Sequence, residues 1–188
     1  MGRRASADAG DIPAVDLALA VEDDAWSAAL PDMAAAVRAA VEAAVAGARA
    51  DGGGRPGPRT AQALELGLVF TDDARVHALN WQYRHKDSPT NVLAFENADP
   101  PPAGAPWQLG DVVVAFGTAR AEAAAAGLAL TDHAAHLVVH GVLHLFGYDH
   151  LNDRDARRME RLETRVLAGL GINDPYARGG GPGPAKDR

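Results

Sequence analysis

The sequence contains no cysteine, few aromatic residues and no long apolar run. Without a cysteine in 188 residues, a disulfide scaffold, a thiolate zinc finger, an iron–sulfur cluster and a thiol nucleophile are all excluded. Any metal site has to be built from His, Asp or Glu. Aromatics are only 5% of the chain, so the 47% hydrophobic fraction is carried largely by alanine. No stretch approaches the ~20 consecutive apolar residues of a membrane span. Arg3 and Arg4 are followed by no apolar segment of the kind a secretory signal needs. Together these features predict a cytoplasmic protein with no membrane partner. Positive charge is also in short supply, with 18 basic against 25 acidic residues and a net charge of −7. Residues 1–12 and 177–188 carry five of the basic and three of the acidic residues, so the body between them stands at 13 to 22. A globally acidic body is not the usual electrostatic footprint of a nucleic-acid binder.

The chain fits one domain of about 160 residues with loose ends. Residues 1–12 read as a disordered arm, 13–176 as the domain, and 177–188, rich in Gly and Pro, as a disordered tail. Four strands are predicted. Val15, Leu17, Leu19 and Val21 alternate with smaller or polar residues, as do Leu64, Leu66, Leu68 and Phe70. Val92–Phe95 and Val112–Phe116 are short apolar runs suited to more buried strands. Between them lie about five helices: 24–50, in two segments split at Pro31, then 71–83, 118–126, 131–146 and 153–168. Thr71 is the expected N-cap of the second of these. Gly/Pro clusters at Asp51–Pro58 and Asp99–Pro106 read as loops. The interleaving predicts an α/β fold with one small mixed sheet, and the last two helices packed together beside it.

The chemistry concentrates at His140-Gly-Val-Leu-His144-Leu-Phe-Gly147-Tyr-Asp-His150. Four residues advance a helix by about 6 Å and 400°, so His140 and His144 stand one turn apart on nearly one face. Gly147 falls where the helix should end, because glycine tolerates the left-handed cap conformation. The chain then turns and brings His150 back. Three neutral imidazoles with one position open to water make a catalytic zinc arrangement rather than a closed structural one. His136 continues the same stripe but lies a turn too far from an ion centred on the other three, and His133 is less suited still. Asp149 is a candidate to accept the second ring N–H of a ligating histidine.

The same spacing occurs in the metzincin proteases, where a Glu directly after the first His is the general base. Here that position is Gly141, which moves no proton. A bound zinc lowers its water's pKa to about 7, so hydroxide is available without a carboxylate.

At this point the sequence resembles the YbeY-type endoribonucleases, bacterial rRNA maturation factors. His140–His150 resembles that family's H-G-x-L-H-L-x-G-Y-D-H signature. Leu79-Asn-Trp-Gln-Tyr-Arg84-His-Lys86-Asp-Ser-Pro-Thr90-Asn91-Val-Leu-Ala-Phe95 resembles its Tyr-Arg…Pro-Thr block. Leu109-Gly-Asp-Val-Val113, Met159-Glu160…Glu163 and Asp174-Pro-Tyr176 also find counterparts, so the resemblance spans about residues 14–176. Ala94 stands where the family has Ser. The resemblance implies an α/β fold and one zinc ion on His140, His144 and His150. It implies single-strand-specific, metal-dependent cleavage of RNA. The role it implies is 3′-end maturation of small-subunit rRNA and ribosome quality control, with the ribosome or small-subunit assembly proteins as partners. Arg84 matches the family's cleft arginine.

On this reading Arg84 clamps a phosphate, because a planar guanidinium fork matches two oxygens at once. Lys86, Thr90 and Asn91 are candidates for the RNA groove. Thr90-Asn91 can equally be a turn that fixes a strand start. Arg154, Arg157, Arg158, Arg161 and Arg165 are interleaved with Asp153, Asp155, Glu160 and Glu163 and read as a solvated helix face. A zinc metallopeptidase-like hydrolase and a non-catalytic ribosome-assembly factor with a structural metal remain as alternatives.

Overall fold

The computed structural model describes residues 14–177. The expected arm over 1–12 lies outside the described residues, as does the expected tail except Ala177, which sits in a turn. The elements in chain order are β1 (Ala14–Val21), α1 (Asp24–Ala29), α2 (Met33–Asp51), α3 (Pro56–Thr60), β2 (Ala63–Thr71), α4 (Asp73–Arg84), β3 (Val92–Glu96), β4 (Trp107–Ala115), α5 (Phe116–Ala126), α6 (Leu130–Leu145) and α7 (Asp153–Gly169). The four strands form one mixed sheet in the order β1-β2-β4-β3. β1, β2 and β4 run parallel, and β3 pairs antiparallel with β4 at one edge.

The expected α/β architecture is therefore present, with differences of detail. The described residues contain seven helices rather than about five. The first segment does break around Pro31, into α1 and α2. The additional α3 lies inside the expected Asp51–Pro58 loop. Pro56 stands in its first turn, where a fixed φ and a missing N–H carry no penalty. The cap of α4 is Asp72 rather than Thr71, its side chain accepting from the Arg75 N–H at 2.7 Å. Thr71 instead closes β2. β4 begins at Trp107, five residues before the apolar run that signalled it, because its first half alternates between core and solvent.

One face of the sheet carries the main core. Leu64, Leu66, Leu68 and Phe70 of β2 and Val112 and Val114 of β4 pack against α2 and α6, and α7 closes over both helices. The other face carries a smaller cluster, where Val76 of α4 meets Leu93, Val113 and Ala115. α6 is buried along nearly its whole length, from His133 to Leu143. Gly141 is the point of closest approach: a β-carbon there would lie 2.6 Å from Val112 Cγ1 and 3.0 Å from Cγ2. Val112 is fully buried, and a β-branched side chain has little rotamer freedom to yield. Only a residue without a side chain lets the histidine helix sit this close to β4.

Placing the metzincin glutamate here, as Gly141→Glu, forces a carboxylate into that dry seam. The variant is expected to lose about 4 kcal/mol or more of stability, read from denaturant midpoints. A midpoint near that of the parent would mean that α6 lifts off β4 at little cost.

Candidate metal centre and nucleic-acid cleft

The hydrogen-bonding of α6 sets the first two ligand-type histidines, and its ending sets the third. His140 and His144 stand one turn apart, with their Nε2 atoms 2.9 Å from each other. The helix ends at Phe146, and Gly147 takes the left-handed conformation at φ 82°. The Tyr148 N–H then donates to the Leu143 carbonyl at 3.1 Å, which fastens the returning chain. His150 arrives as the third member, and one ring nitrogen from each of the three lies within 4.8 Å of the others. Two nitrogens held at 2.0–2.1 Å by one tetrahedral zinc stand about 3.3 Å apart, so the 2.9 Å pair has to open slightly to take an ion.

The donor chemistry fits a metal. Glu163 of α7 is 1% exposed, and its Oε1 lies 2.7 Å from His140 Nδ1. A carboxylate facing Nδ1 fixes the proton there and leaves the Nε2 lone pair aimed into the cluster. Burial opposes ionisation of Glu163, but electrostatic attraction to His140 and the hydrogen bonds of His136 and His140 outweigh it and hold the carboxyl well below its ordinary range. The second oxygen of Glu163 meets His136 Nε2 at 3.4 Å and accepts from the Tyr176 hydroxyl. His136 thus belongs to the support of the site and is absent from the ligand group. His133 pairs with Glu122 of α5 at 2.8 Å.

Beside the cluster lies an open cleft of about 430 Å³ lined by His144, Gly147, Asp149, Arg84, Arg55, Ala94 and Glu96. Arg84 is the last residue of α4, and its Nη2 lies 3.4 Å from the Ala94 carbonyl. Its guanidinium therefore reaches around edge strand β3 to the histidine side. Arg55 also lines the cleft, donating to Glu96 Oε2 at 3.2 Å and to the Asn97 carbonyl at 2.9 Å. Two cations and one metal-type histidine thus share a cleft on a protein that is acidic overall. Asp149 accepts from the His150 N–H at 2.6 Å, and its carboxylate stands 3.8 Å from His150 Nδ1, beyond hydrogen-bond range. Lys86 follows the helix end and is half-buried. Thr90 and Asn91 are buried, with the Thr90 hydroxyl on the Val92 carbonyl and the Asn91 amide on Glu122 at 2.8 Å. Both side chains hold the start of β3 and neither lines the cleft.

Sequence reasoning put one residue of the site, Glu163, on a solvated helix face, where the structure buries it at 1% exposure, and it did not single out another, Arg55. Glu163 had a usable signal: it occupies the apolar stripe of α7 beside Met159, Leu162 and Val166, where an acid has to be buried and paired. Arg55 had none, since it lies in a Gly/Pro segment and is placed by the contact of that segment with the end of α6. Its backbone N–H donates to the Phe146 carbonyl at 2.6 Å.

Comparison with known proteins is consistent with this geometry. The family described as Endoribonuclease YbeY matches residues 55–171. A protein named endoribonuclease YbeY from Azorhizobium caulinodans is 47% identical over 163 residues, covering 87% of this chain and 97% of its own. One of the same name from Rhodospirillum rubrum is 49% identical over 173 residues, covering 89% and 84%. This chain belongs to the endoribonuclease YbeY family. A solution structure from Thermotoga maritima covers 86% of the chain at 19% identity and a TM-score of 0.46.

In this YbeY-family chain the third histidine of the cluster is carried on a turn, and Asp51 anchors that turn. Its carboxylate accepts from the Tyr148 hydroxyl at 3.0 Å, Arg158 Nε at 3.0 Å and Arg165 Nη2 at 2.8 Å. Burial opposes its charge, but Arg165, Tyr148 and Arg158 outweigh that and lower its pKa. Burial and the Asp51 carboxylate push the Tyr148 hydroxyl up to about 12. A depressed carboxyl pKa stabilises the fold above the unfolded value near 3.8, and that contribution disappears as pH falls through the folded value. Asp51→Asn is therefore expected to melt several degrees below the parent at pH 7, with the gap narrowing as the pH falls below that unfolded value. Parallel melting curves across that range would contradict the ion-pair account.

Glu163→Gln keeps the shape of the carboxylate but removes its charge. It is expected to weaken metal affinity about 10–100-fold, measured by competition with a chromophoric chelator. Unchanged affinity would mean that Glu163 does not orient His140.

Proposed function

We propose that this chain is a zinc-dependent endoribonuclease acting on single-stranded segments of ribosomal RNA. Its work would be 3′-end maturation of the small-subunit rRNA and ribosome quality control, in the cytoplasm and alongside small-subunit assembly proteins. The observation that carries the reading is the convergence of three imidazole nitrogens beside a cleft that also holds Arg84 and Arg55. That pairing of a metal-type ligand set with two phosphate-binding cations suits a phosphodiester substrate. No described helix is long and apolar enough to cross a membrane.

His140, His144 and His150 would hold one zinc ion. When bound, it supplies Lewis-acid chemistry: it polarises a phosphoryl oxygen and acidifies water. The remaining work falls to the chain. Arg84 and Arg55 bind non-bridging phosphate oxygens and fix the scissile group against the histidine cluster. Their donors favour the extra negative charge of the pentacoordinate transition state. Glu163 retains the Nδ1 proton of His140 and so keeps its Nε2 a ligand. Lys86 adds positive charge beside Arg84 for the RNA backbone, and Asp149 shapes the turn that carries His150. The peptidase alternative loses ground because Gly141 faces Val112 and leaves no room for the glutamate that chemistry uses.

Cleavage of labelled ribosomal RNA by zinc-loaded protein, beside His144→Ala prepared identically, tests the reading. Wild-type cleavage with at least a 100-fold loss in the variant is expected, as a ligand removed from a catalytic metal should cost about that much. Equal cleavage by both would assign the activity to a contaminant, and no cleavage by either would return the chain to a non-catalytic assembly role.

A further inference from the structure

The chain has ten aromatic residues. Most are in the core or half-buried, as Trp26, Phe70, Phe146 and Tyr148 show. Two are not: Trp81 is 57% exposed and Tyr83 60%. A large ring left in water has a solvation cost, so two within three positions call for a reason beyond folding. Both lie in the last turn of α4, and Arg84 follows them directly. At about 100° per residue, Arg84 projects between the two, about 60° from Trp81 and about 100° from Tyr83. The helix stops at His85, which adopts the left-handed conformation at φ 55°, so this arrangement stands at a helix end.

Tyr83 is also placed relative to the cleft. Tyr83 packs edge-on against Phe95, with ring centroids 5.1 Å apart and an interplanar angle of 64°. Phe95 lies in β3 between Ala94 and Glu96, which line the metal-side cleft. Tyr83 therefore sits on the α4 face of the edge strand, across β3 from the cleft that Arg84 reaches into, and the Phe95 contact fixes its ring.

We propose that Trp81 and Tyr83 form a stacking platform for unpaired RNA bases on either side of the phosphate held at Arg84. The inference rests on the ribonuclease reading above and adds what that reading lacks, a source of affinity that needs no net positive charge. Stacking on an exposed ring takes any base, because every base has a π-face, and it requires the base to be out of a duplex. An overall acidic protein can then bind single strands through two rings and a local arginine pair, while its remaining surface repels nucleic acid. Preference for single strands becomes a property of the last turn of α4.

The test is binding of a labelled, unstructured oligoribonucleotide and of a hairpin of equal length. Both are measured in a His144→Ala background to prevent cleavage. Trp81→Ala and Tyr83→Ala are each expected to bind the single strand about tenfold more weakly. The salt dependence should not change, because no phosphate contact is lost. Tyr83→Phe keeps the ring and should bind as the parent does. Single strand, but not hairpin, should quench an emission component that Trp81→Phe abolishes. Parent-like binding by both alanine variants, or equal losses on single strand and hairpin, would overturn the platform alone. A parent that binds no RNA would overturn the ribonuclease reading together with it.

Discussion

Helix α6 brings three histidines into a dry core, and each must meet a carboxylate. His133, His136 and His140 are each about 95% buried. An imidazole placed there without a partner would cost more than its packing returns. Glu122 of α5 meets the first, and Glu163 of α7 meets the other two. This requirement fixes where α5 and α7 can dock, and with them the faces of α6 left for the sheet and for the cleft. The same carboxylate that allows His140 to be buried also leaves its Nε2 free to act as a ligand. Satisfying the core and preparing the metal centre are one interaction.

The packing of α6 against β4 is the second constraint. Gly141 removes the side chain that would hold helix and strand apart, and Leu137 and Val138, one turn earlier on that side of the helix, are buried in the same core. This contact determines how far the histidine turn lies from β3, and so how far Arg84 has to reach. The metal cluster and the arginine come from elements 56 residues apart in sequence, brought together by a sheet whose edge strand separates them.

Much of this was legible in the sequence, for local reasons. Period-two and period-3.6 patterns fix the strands and helices, and the four-residue step from His140 to His144 needs no tertiary knowledge. Gly147 was readable as a helix stop because a left-handed cap is a local conformation. What escaped depends on docking. Arg55 belongs to a segment with no pattern, and it becomes part of the cleft only because that segment rests on the end of α6. α3 is a single turn started by Pro56, too short to show a period. For Thr90 and Asn91 the sequence left groove and turn equally open, and only docking decides: the turn folds inward and Asn91 reaches Glu122. Glu163 lies between these cases: its place in the apolar stripe of α7 is local information, but the histidine it serves is not.

The three ligand-type histidines span only eleven residues, a helix end and one turn, whereas Glu163 and Tyr176 follow them in the chain. During synthesis the histidine turn therefore emerges first, and the carboxylate that aligns it comes later. The Tyr176 hydroxyl, which holds that carboxylate's outer oxygen, comes later still. The alignment of His140 is a late event in the life of each molecule, completed only when α7 and the turn after it have closed over α6. A nascent chain carries the metal-binding letters before it carries the geometry that gives them meaning.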